Sequence, residues 1–312
     1  WHPEVPHHLI FSRLTVEGNG AGMTLYGDDH LVHGCRIANN NLGMGIYAMG
    51  DGLSFQYNEF ENNGLPPPDV FVHSLYFSSC NGLRFEHNVV HTATDGVKAR
   101  RCHDSIFRYN TIHSILNIGI HLGGDSEGDA TNNRIESNLF YGNPSDIVIK
   151  SESGVQVEPI DGLVIANNIM HSGASRSGGY GHHLAVTDVP AQNVAIVNNL
   201  VYDDTGVAGI NIGNAGDDIR CVNNVVGQLT GATTISLSGS VVHSNNLELS
   251  TAEAFGELGL ADVADFDFSP TAASTMLIDQ GADVSDVVTT DFEGTARPLG
   301  AAFDIGPYEH AP

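Results

Sequence analysis

Short runs in which apolar and polar residues alternate recur along most of the chain. The recurring unit reads apolar, any, apolar, any, any, Asn, any, apolar, as in Leu53, Phe55, Asn58 and Phe60. Alternation with a period of two predicts short strands that each bury one face. The asparagines of the series are Asn40, Asn58, Asn88, Asn110, Asn138, Asn168, Asn199, Asn224 and Asn246, spaced 18 to 31 residues apart. Such a spacing is typical of one turn of a solenoid.

An asparagine at the same place in every turn predicts a ladder of side-chain amides. An earlier copy of the unit, beginning at Leu9, has Leu14 where the others have asparagine. We therefore predict an all-β protein, a parallel β-helix of about nine to ten coils over residues 1–250. The repeat fades after this point, and residues 251–312 are predicted to form a C-terminal cap that covers the open end of the solenoid.

A second strand in each coil reads Gly, inward apolar, outward, inward apolar, outward, as in Gly96–Arg100 and Gly119–Gly123. Aligning these copies predicts one outward column of Tyr47, Tyr76, Lys98, His121 and Val148, and a second of Met49, Ser78, Arg100, Gly123 and Lys150. Adjacent strands lie ~4.8 Å apart, so the side chains from Tyr76 to His121 are predicted to span ~10 Å. That length fits one or two sugar units along a groove.

Charge singles out the same columns. The chain has 37 acidic and 12 basic residues, a net charge of −25, and its only lysines are Lys98 and Lys150. This balance disfavours nucleic acid and anionic membranes as partners. The sequence contains no signal peptide and no apolar run of membrane-spanning length. The basic cluster Asp95–Arg101 instead predicts a site for a polyanion.

The coils with their asparagine ladder resemble, over about residues 8–250, the right-handed parallel β-helix proteins of the pectate-lyase-like superfamily. The segment His73-Ser74-Leu75-Tyr76, followed one coil later by Gly96-Val97-Lys98-Ala99-Arg100, is similar to an H-x-L-Y and K-x-R pairing in secreted bacterial proteins of this kind. The tail TDFEGTARPLGAAFDIGPYE resembles their C-terminal segment. The resemblance implies a secreted enzyme that acts on a polysaccharide, with catalytic lysine and arginine. The D-P-H segment of alginate epimerases and the complete calcium, lysine and arginine signature of chondroitinase-B-like lyases are not found.

A lyase or epimerase must remove the proton beside a uronate carboxylate, neutralise that carboxylate and supply an acid. We assign Lys98 as the base, Arg100 as the carboxylate ligand, and Tyr76 or His121 as the acid, with exchange of roles left open. Substrate-binding roles are predicted for His73, Tyr47, Arg101, Lys150 and Asp95. His73 has the alternative role of orienting Tyr76. Lys98 and Arg100 have the alternative of forming a surface salt-bridge ladder with Asp95 or Asp104.

Two further groups of residues have both a functional and a structural interpretation. Asp125, Glu127 and Asp129 offer oxygen ligands suited to calcium, with a solvated turn as the alternative. No other cofactor is predicted. Cys80 and Cys102 each lie eight residues before an asparagine of the repeat, so they are expected to stack on adjacent coils as free thiols or as a disulfide.

The function that these residues favour is cleavage of a uronate polysaccharide by β-elimination. One alternative is a uronan C5-epimerase. Another is an inverting β-helix glycosidase, which requires two carboxyl groups ~6.5–9.5 Å apart and finds no acidic pair in the predicted columns. A third is a β-helix that binds carbohydrate without catalysis. The expected partner is thus an acidic polysaccharide, while the oligomeric state stays open.

Overall fold

Three long parallel sheets wind around one apolar core in a right-handed β-helix, as the repeat predicts. The computed structural model describes residues 7–18, 20–41, 44–64, 72–125, 128–151, 160–172, 181–187, 190–203, 208–213, 216–228 and 234–311. No helix in these ranges has the length and apolar composition needed to cross a membrane.

The strands of each sheet follow one another at intervals of one coil. Sheet 1 contains Ile10–Ser12, Leu31–His33, Ser54–Gln56, Arg84–Glu86, Ile106–Arg108, Arg134–Glu136, Val164–Ala166, Val194–Val197, Ile219–Val222 and Val241–Ser244. Sheet 2 contains Thr15–Glu17, Arg36–Ala38, Glu59–Glu61, Val89–His91, Thr111–His113, Leu139–Tyr141, Ile169–Ser172, Leu200–Asp203, Val225–Gln228 and Leu247–Leu249. Sheet 3 contains Met23–Tyr26, Ile46–Met49, His73–Asn81, Asp95–His103, Ile118–Gly123, Ser145–Ile149, His182–Val186, Ala208–Ile212 and Ile235–Leu237.

The remaining elements are short. Ile160–Asp161 pairs with Ala191–Gln192 in parallel, and Leu260–Asp262 pairs with Asp267–Pro270 in antiparallel orientation. An α-helix covers Ala252–Gly256 and a 3₁₀ turn covers Val263–Asp265.

The asparagine ladder forms at the start of sheet 2 and runs from Asn58 to Asn246. Each side-chain oxygen accepts hydrogen bonds from the preceding asparagine of the ladder. Each side-chain NH₂ group donates to a backbone carbonyl one coil back and to the oxygen of the next asparagine. Asn88, for example, donates to Phe55 O at 2.9 Å and to Asn110 Oδ1 at 3.1 Å. Because every polar atom of the ladder is paired, the asparagines are tolerated in the core. The assignment of Asn40 to this ladder is wrong. Cys35 occupies its position, since the backbone amide of Cys35 donates to Asn58 Oδ1.

One residue before each ladder position, the chain turns from sheet 1 into sheet 2 with a positive φ. This bend column consists of Arg13, Gly34, Tyr57, His87, Tyr109, Ser137, Asn167, Asn198, Asn223 and Asn245, with φ between 51° and 61°. From Arg13 to Asn223, their backbone amides each bond to the next coil, as Gly34 N does to Gln56 O at 3.0 Å. Side chains of the bend column therefore lie above one another on the outside of the solenoid.

Cys80 and Cys102 are bonded to each other as a disulfide. They are direct neighbours on adjacent strands of sheet 3, and both side chains are buried in the core. The stacking predicted for them is confirmed, and the disulfide is the alternative that forms. It joins the two coils that carry Tyr76 and Lys98.

Residues 251–311 lie along the side of the last coils, and this position differs from the predicted cover at the open end. Four bend-column asparagines donate to its backbone: Asn167 to Thr290 O, Asn198 to Asp304 O and Gly306 O, Asn223 to Ala282 O, and Asn245 to Gln280 O. Outward apolar residues of sheet 2, such as Ile169, Leu200 and Val225, pack against Phe255, Leu258 and Phe268 from this segment. The reason is that these coils present apolar residues outward, and those residues need cover.

A buried ion pair holds the end of this segment. Arg297 Nη1 lies 2.7 Å from Glu309 Oε1, and neither side chain is exposed to solvent. Arg297 also donates to Asn167 Oδ1 at 3.2 Å and to Gly306 O at 2.8 Å. Burial lowers the pKa of Arg297 and raises the pKa of Glu309, while the attraction between them opposes both shifts. The pair therefore ties the C-terminal segment to the bend column.

Candidate active site

The outward columns predicted on sheet 3 are present in the predicted register. Tyr76 pairs with Lys98, Lys98 with His121, and His121 with Val148 on four successive strands. In the second column, Arg100 pairs with Gly123, and Lys150 comes one residue after the pair of Leu122 with Ile149. Because the strands are in register, side chains that are distant in sequence form one continuous surface.

Tyr76 lies beneath two cations. The Nζ atom of Lys98 and the Cζ atom of Arg100 each lie 5.5 Å from the centre of the Tyr76 ring. Cations attract the negative face of an aromatic ring, so this contact helps to fix both side chains above the sheet. Tyr47 contacts the other side of Tyr76 edge-on, with ring centres 5.4 Å apart. Tyr47 thus continues the surface toward the N-terminus.

His73 and Asp95 lie behind this surface, not on it. The Nδ1 atom of His73 is 3.0 Å from Oδ2 of Asp95, and the two side chains are 8% and 4% exposed. Asp95 also accepts from Asn117 Nδ2 at 2.7 Å. Burial raises the pKa of Asp95, but the contact with His73 and the bond from Asn117 outweigh burial and leave that pKa below its ordinary value.

This arrangement does not support substrate-binding roles for Asp95 and His73, because the two side chains are buried and contact each other, and those roles stay a prediction. The His73 ring instead packs 5.6 Å from the Tyr76 ring. This position matches the alternative in which His73 orients Tyr76. Burial also removes Asp95 from the proposed surface ladder with Lys98 and Arg100.

His121 forms the floor of the groove and is only 7% exposed. Burial, followed by the positive charges of Lys98 and Lys150, lowers the pKa of His121 to about 3. The imidazole is therefore neutral at physiological pH and keeps a ring nitrogen that can accept a proton. The neutral state is compatible with the exchange of roles between His121 and Lys98 that the sequence leaves open.

Arg100 is already bonded to a carboxylate of the protein. Its Nη1 atom lies 3.0 Å from Oδ2 of Asp125, and Nε of Arg101 lies 3.8 Å from Oδ1 of the same carboxylate. Arg101 Nη2 in addition donates to Ser78 Oγ at 3.4 Å. Arg100 therefore shares its charge with Asp125, and its role as the ligand of a substrate carboxylate stays a prediction.

The same contacts bear on calcium. The Asp125 carboxylate faces two guanidinium groups, an environment that does not fit a cation ligand. Asp129 Oδ1 lies 3.9 Å from Nε2 of His103, and Glu127 lies outside the described residues. Calcium stays a prediction, and no step below depends on it.

Gly123 contributes no side chain to the second column, where it lies between Arg100 and Lys150. A Cβ atom at Gly123 would lie 1.8 Å from the backbone oxygen of Lys150, so no other residue fits there. Arg100 and Lys150 are two strands apart, a separation of ~10 Å. Both cations and His121 border this position, and the space between them in the structure is too small for a water molecule.

The family called "Right handed beta helix region" matches residues 6–127 and 73–248. The chain belongs to this right-handed β-helix family. No curated protein matches the chain.

Three solved structures are similar to it. The complex of XylC with xylose is 13% identical, with a TM-score of 0.44, 90% of this chain covered and 50% of that chain. The pectate lyase Pel9A is 15% identical, with a TM-score of 0.49, and the match covers 95% of this chain and 83% of the Pel9A chain. An alginate lyase from Paenibacillus sp. strain FPU-7 is 11% identical, with a TM-score of 0.42 and coverages of 78% and 93%. The chain thus spans half the length of the XylC chain.

Proposed function

We propose that the chain is an extracellular polysaccharide lyase that cleaves a uronate-containing polysaccharide by β-elimination in the groove of sheet 3. The observation that carries the proposal is the square formed by Lys98 and Arg100 on one strand with His121 and Gly123 on the next, closed by Lys150. It places the positive charges of Lys98, Arg100 and Lys150 around the neutral imidazole of His121.

The carboxylate of the substrate would lie over Gly123 between Arg100 and Lys150. Positive charge on both sides neutralises the carboxylate and stabilises the negative charge that grows there when the neighbouring proton leaves. Asp125 holds Arg100 in place through its contact at 3.0 Å. Lys150, whose side chain is half-buried, is the cation that contacts the substrate from the other side.

Proton removal is assigned to His121. The charges of Lys98 and Lys150 contribute to the low pKa of its ring, and an anionic substrate would offset those charges. Substrate binding therefore raises the pKa of His121 and makes it a stronger base at the moment when a base is needed. His121 takes the proton from C5, the electron pair forms the C4=C5 double bond, and the C4–O bond breaks.

Protonation of the leaving oxygen is assigned to Lys98, which adjoins His121 on the preceding strand. Its ammonium group donates a proton as the C4–O bond breaks, and solvent then replaces that proton. Tyr76 positions Lys98 through the contact at 5.5 Å. The disulfide between Cys80 and Cys102 supports an extracellular setting, because such bonds persist in oxidising compartments.

The experiment that tests the proposal is incubation with polygalacturonate, alginate and glucuronan while the ultraviolet absorbance of an unsaturated uronate is followed. The variants are His121→Asn and Lys98→Met, with His113→Asn on sheet 2 as the matched control. Absorbance should rise with the unaltered chain and His113→Asn and stay flat with the other two. New reducing ends without absorbance, inversion at C5 without cleavage, or no reaction on any polymer would each overturn the lyase assignment.

A further inference from the structure

The bend column carries a stack of aromatic rings that stops one step short of a cavity. The rings of Tyr57 and His87 are parallel within 2° with centres 4.7 Å apart, and His87 and Tyr109 continue the stack at 4.9 Å. Above Tyr57 the next bend residue is Gly34, and the one after it is Arg13. The glycine adds no ring at that level. The ring of the neighbouring His33 contacts Tyr57 at a tilt of 57° with centres 5.4 Å apart, so it does not continue the parallel stack.

A cavity of about 410 Å³ lies at this place, and its lining includes Arg13, Gly34, Arg36, Tyr57 and His87. A Cβ atom at Gly34 would meet only Cγ of Arg13, at the ordinary contact distance of 3.8 Å. Arg13 and Tyr57 are two coils apart, a separation of ~9.6 Å. This spacing leaves room for one ring between them.

Charged residues of both signs line the cavity, namely Arg13, Arg36 and Glu59. Arg36 is bonded to carboxylates of the protein, at 3.0 Å from Glu17 Oε2 and 3.2 Å from Glu59 Oε2. Arg13 is exposed, and no carboxylate among the described residues lies within 4.0 Å of it. In a chain with a net charge of −25, a cation without an ion pair beside an exposed ring favours an anionic ligand.

We infer that Gly34, Tyr57 and Arg13 form a second carbohydrate-binding site, which holds one acidic pyranose ring in the missing level of the aromatic stack. The C–H bonds on one face of a pyranose are weakly positive and pack against the negative face of Tyr57. Arg13 binds the carboxylate of the same sugar. The site lies on the bend between sheets 1 and 2, away from the groove of sheet 3. Only the choice of an acidic sugar rests on the proposed function.

The site is tested in the chain carrying Lys98→Met, so that a bound sugar is not cleaved. Titration calorimetry with tetragalacturonate and tetramannuronate measures the number of sites, with maltotetraose as the neutral control. Gly34→Tyr places a ring in the gap, at a φ that Tyr57 already adopts. Gly34→Ala has the same backbone change without the ring, and Tyr109→Ala alters the stack at its far end.

We expect two acidic-sugar sites per chain, falling to one with Gly34→Tyr or Tyr57→Ala and staying at two with Gly34→Ala or Tyr109→Ala. Arg13→Ala should weaken the site about tenfold, the effect of losing one charge-assisted hydrogen bond. If the groove of sheet 3 binds no uronate, the chain with Gly34 intact should show one site and the Gly34→Tyr chain none. This outcome would contradict the proposed function but not the second site. An unchanged count with Gly34→Tyr, equal loss with Gly34→Ala, or equal binding of maltotetraose would overturn the inference.

Discussion

Lys98 and Tyr76 are direct neighbours on adjacent strands, and Nζ of Lys98 lies 5.5 Å from the centre of the Tyr76 ring. The contact restrains a long, flexible side chain at the place where the leaving oxygen of a substrate would be. The role proposed for Lys98 as a proton donor can therefore be tested separately from its positive charge.

Lys98→Arg keeps the positive charge and the contact with Tyr76 but removes a group that gives up its proton readily. We expect kcat to fall by a factor of about 10² to 10⁴, the usual range for loss of a general acid. KM should change little, because the charge is retained. Initial rates on the preferred polyuronate measure both. Near-normal kcat in Lys98→Arg would show that charge alone suffices.

Asp95→Asn keeps the volume of the side chain and its acceptor for Asn117 but removes the charge that faces His73. His73 then holds Tyr76, and through it Lys98, less firmly. We expect kcat to fall by about tenfold to a hundredfold through misplacement of these groups. The comparison is with Asn117→Ala, which leaves the Asp95 charge in place. The same loss of kcat in both variants would assign the effect to general loosening.

His121 makes the stability of the fold depend on pH. Its folded pKa, about 3, is below the ordinary value of 6.5, so the unfolded chain binds the proton more tightly. The contribution of His121 to the unfolding free energy is therefore fully present above pH 6.5 and is lost as the pH falls toward the folded pKa. This loss is about 2 kcal/mol at pH 5 relative to neutrality.

Urea unfolding of the unaltered chain and of His121→Asn at neutral pH and at pH 5 measures this contribution. The charged groups that face His121 are Lys98, Lys150, His73 and Asp95, and all four are retained in the variant. The unfolding free energy should decline less between the two pH values in His121→Asn than in the unaltered chain, by about 2 kcal/mol. Parallel pH profiles for the two chains would show that His121 is already accessible to protons when folded.

The asparagine ladder is expected to be sensitive to the loss of a single side chain. Asn110 accepts from Asn88 N at 2.9 Å and donates to Phe85 O at 2.8 Å and to Asn138 Oδ1 at 2.9 Å. Asn110→Ala leaves these buried groups without partners and should lower the unfolding free energy by about 3 kcal/mol. Asn81→Ala, at an exposed strand end, serves as the control and should change it by less than about 0.5 kcal/mol. Chemical denaturation of both variants measures the two changes in unfolding free energy.

Removing one member of the buried pair in the C-terminal segment should cost more than removing both. Arg297→Met leaves Glu309 buried without its cation, which is expected to destabilise the fold by about 3–5 kcal/mol. The double variant Arg297→Met with Glu309→Leu removes the unpaired charge and should recover part of that loss. Thermal unfolding of the three chains measures the difference. Equal stability of the single and double variants would mean that Glu309 takes up a proton at little cost.

The coils and the outward columns could be predicted because the period of two and the repeat are both visible in the sequence. Asn40 was misplaced because Cys35 takes the ladder position, so the chain presents an asparagine five residues too late. The pairing of Arg100 with Asp125 could not be predicted, because the two residues are 25 positions apart across a turn of irregular length. Burial of Asp95 likewise depends on how the strand enters the sheet.

The position of the C-terminal segment did leave a signal in the sequence. Along one outward column of sheet 2, the residues change from Thr15, Arg36 and Glu59 in the early coils to Ile169, Leu200 and Val225 in the later ones. A change from polar to apolar on an outward face indicates that something covers it. The side of the late coils, and not their end, was therefore the place to expect the segment.

Because Tyr76, Lys98 and His121 come from three successive coils, the site constrains how the gene can change length. Gain or loss of a whole coil before residue 72 would leave the three side chains in register, although it would alter the stack at Gly34. A coil inserted between Tyr76 and His121 would separate them. A coil inserted among the last coils would shift the bend-column asparagines out of register with residues 280–306, to which they donate hydrogen bonds. Homologues that keep this site are therefore expected to differ in the number of coils mainly at the N-terminal end.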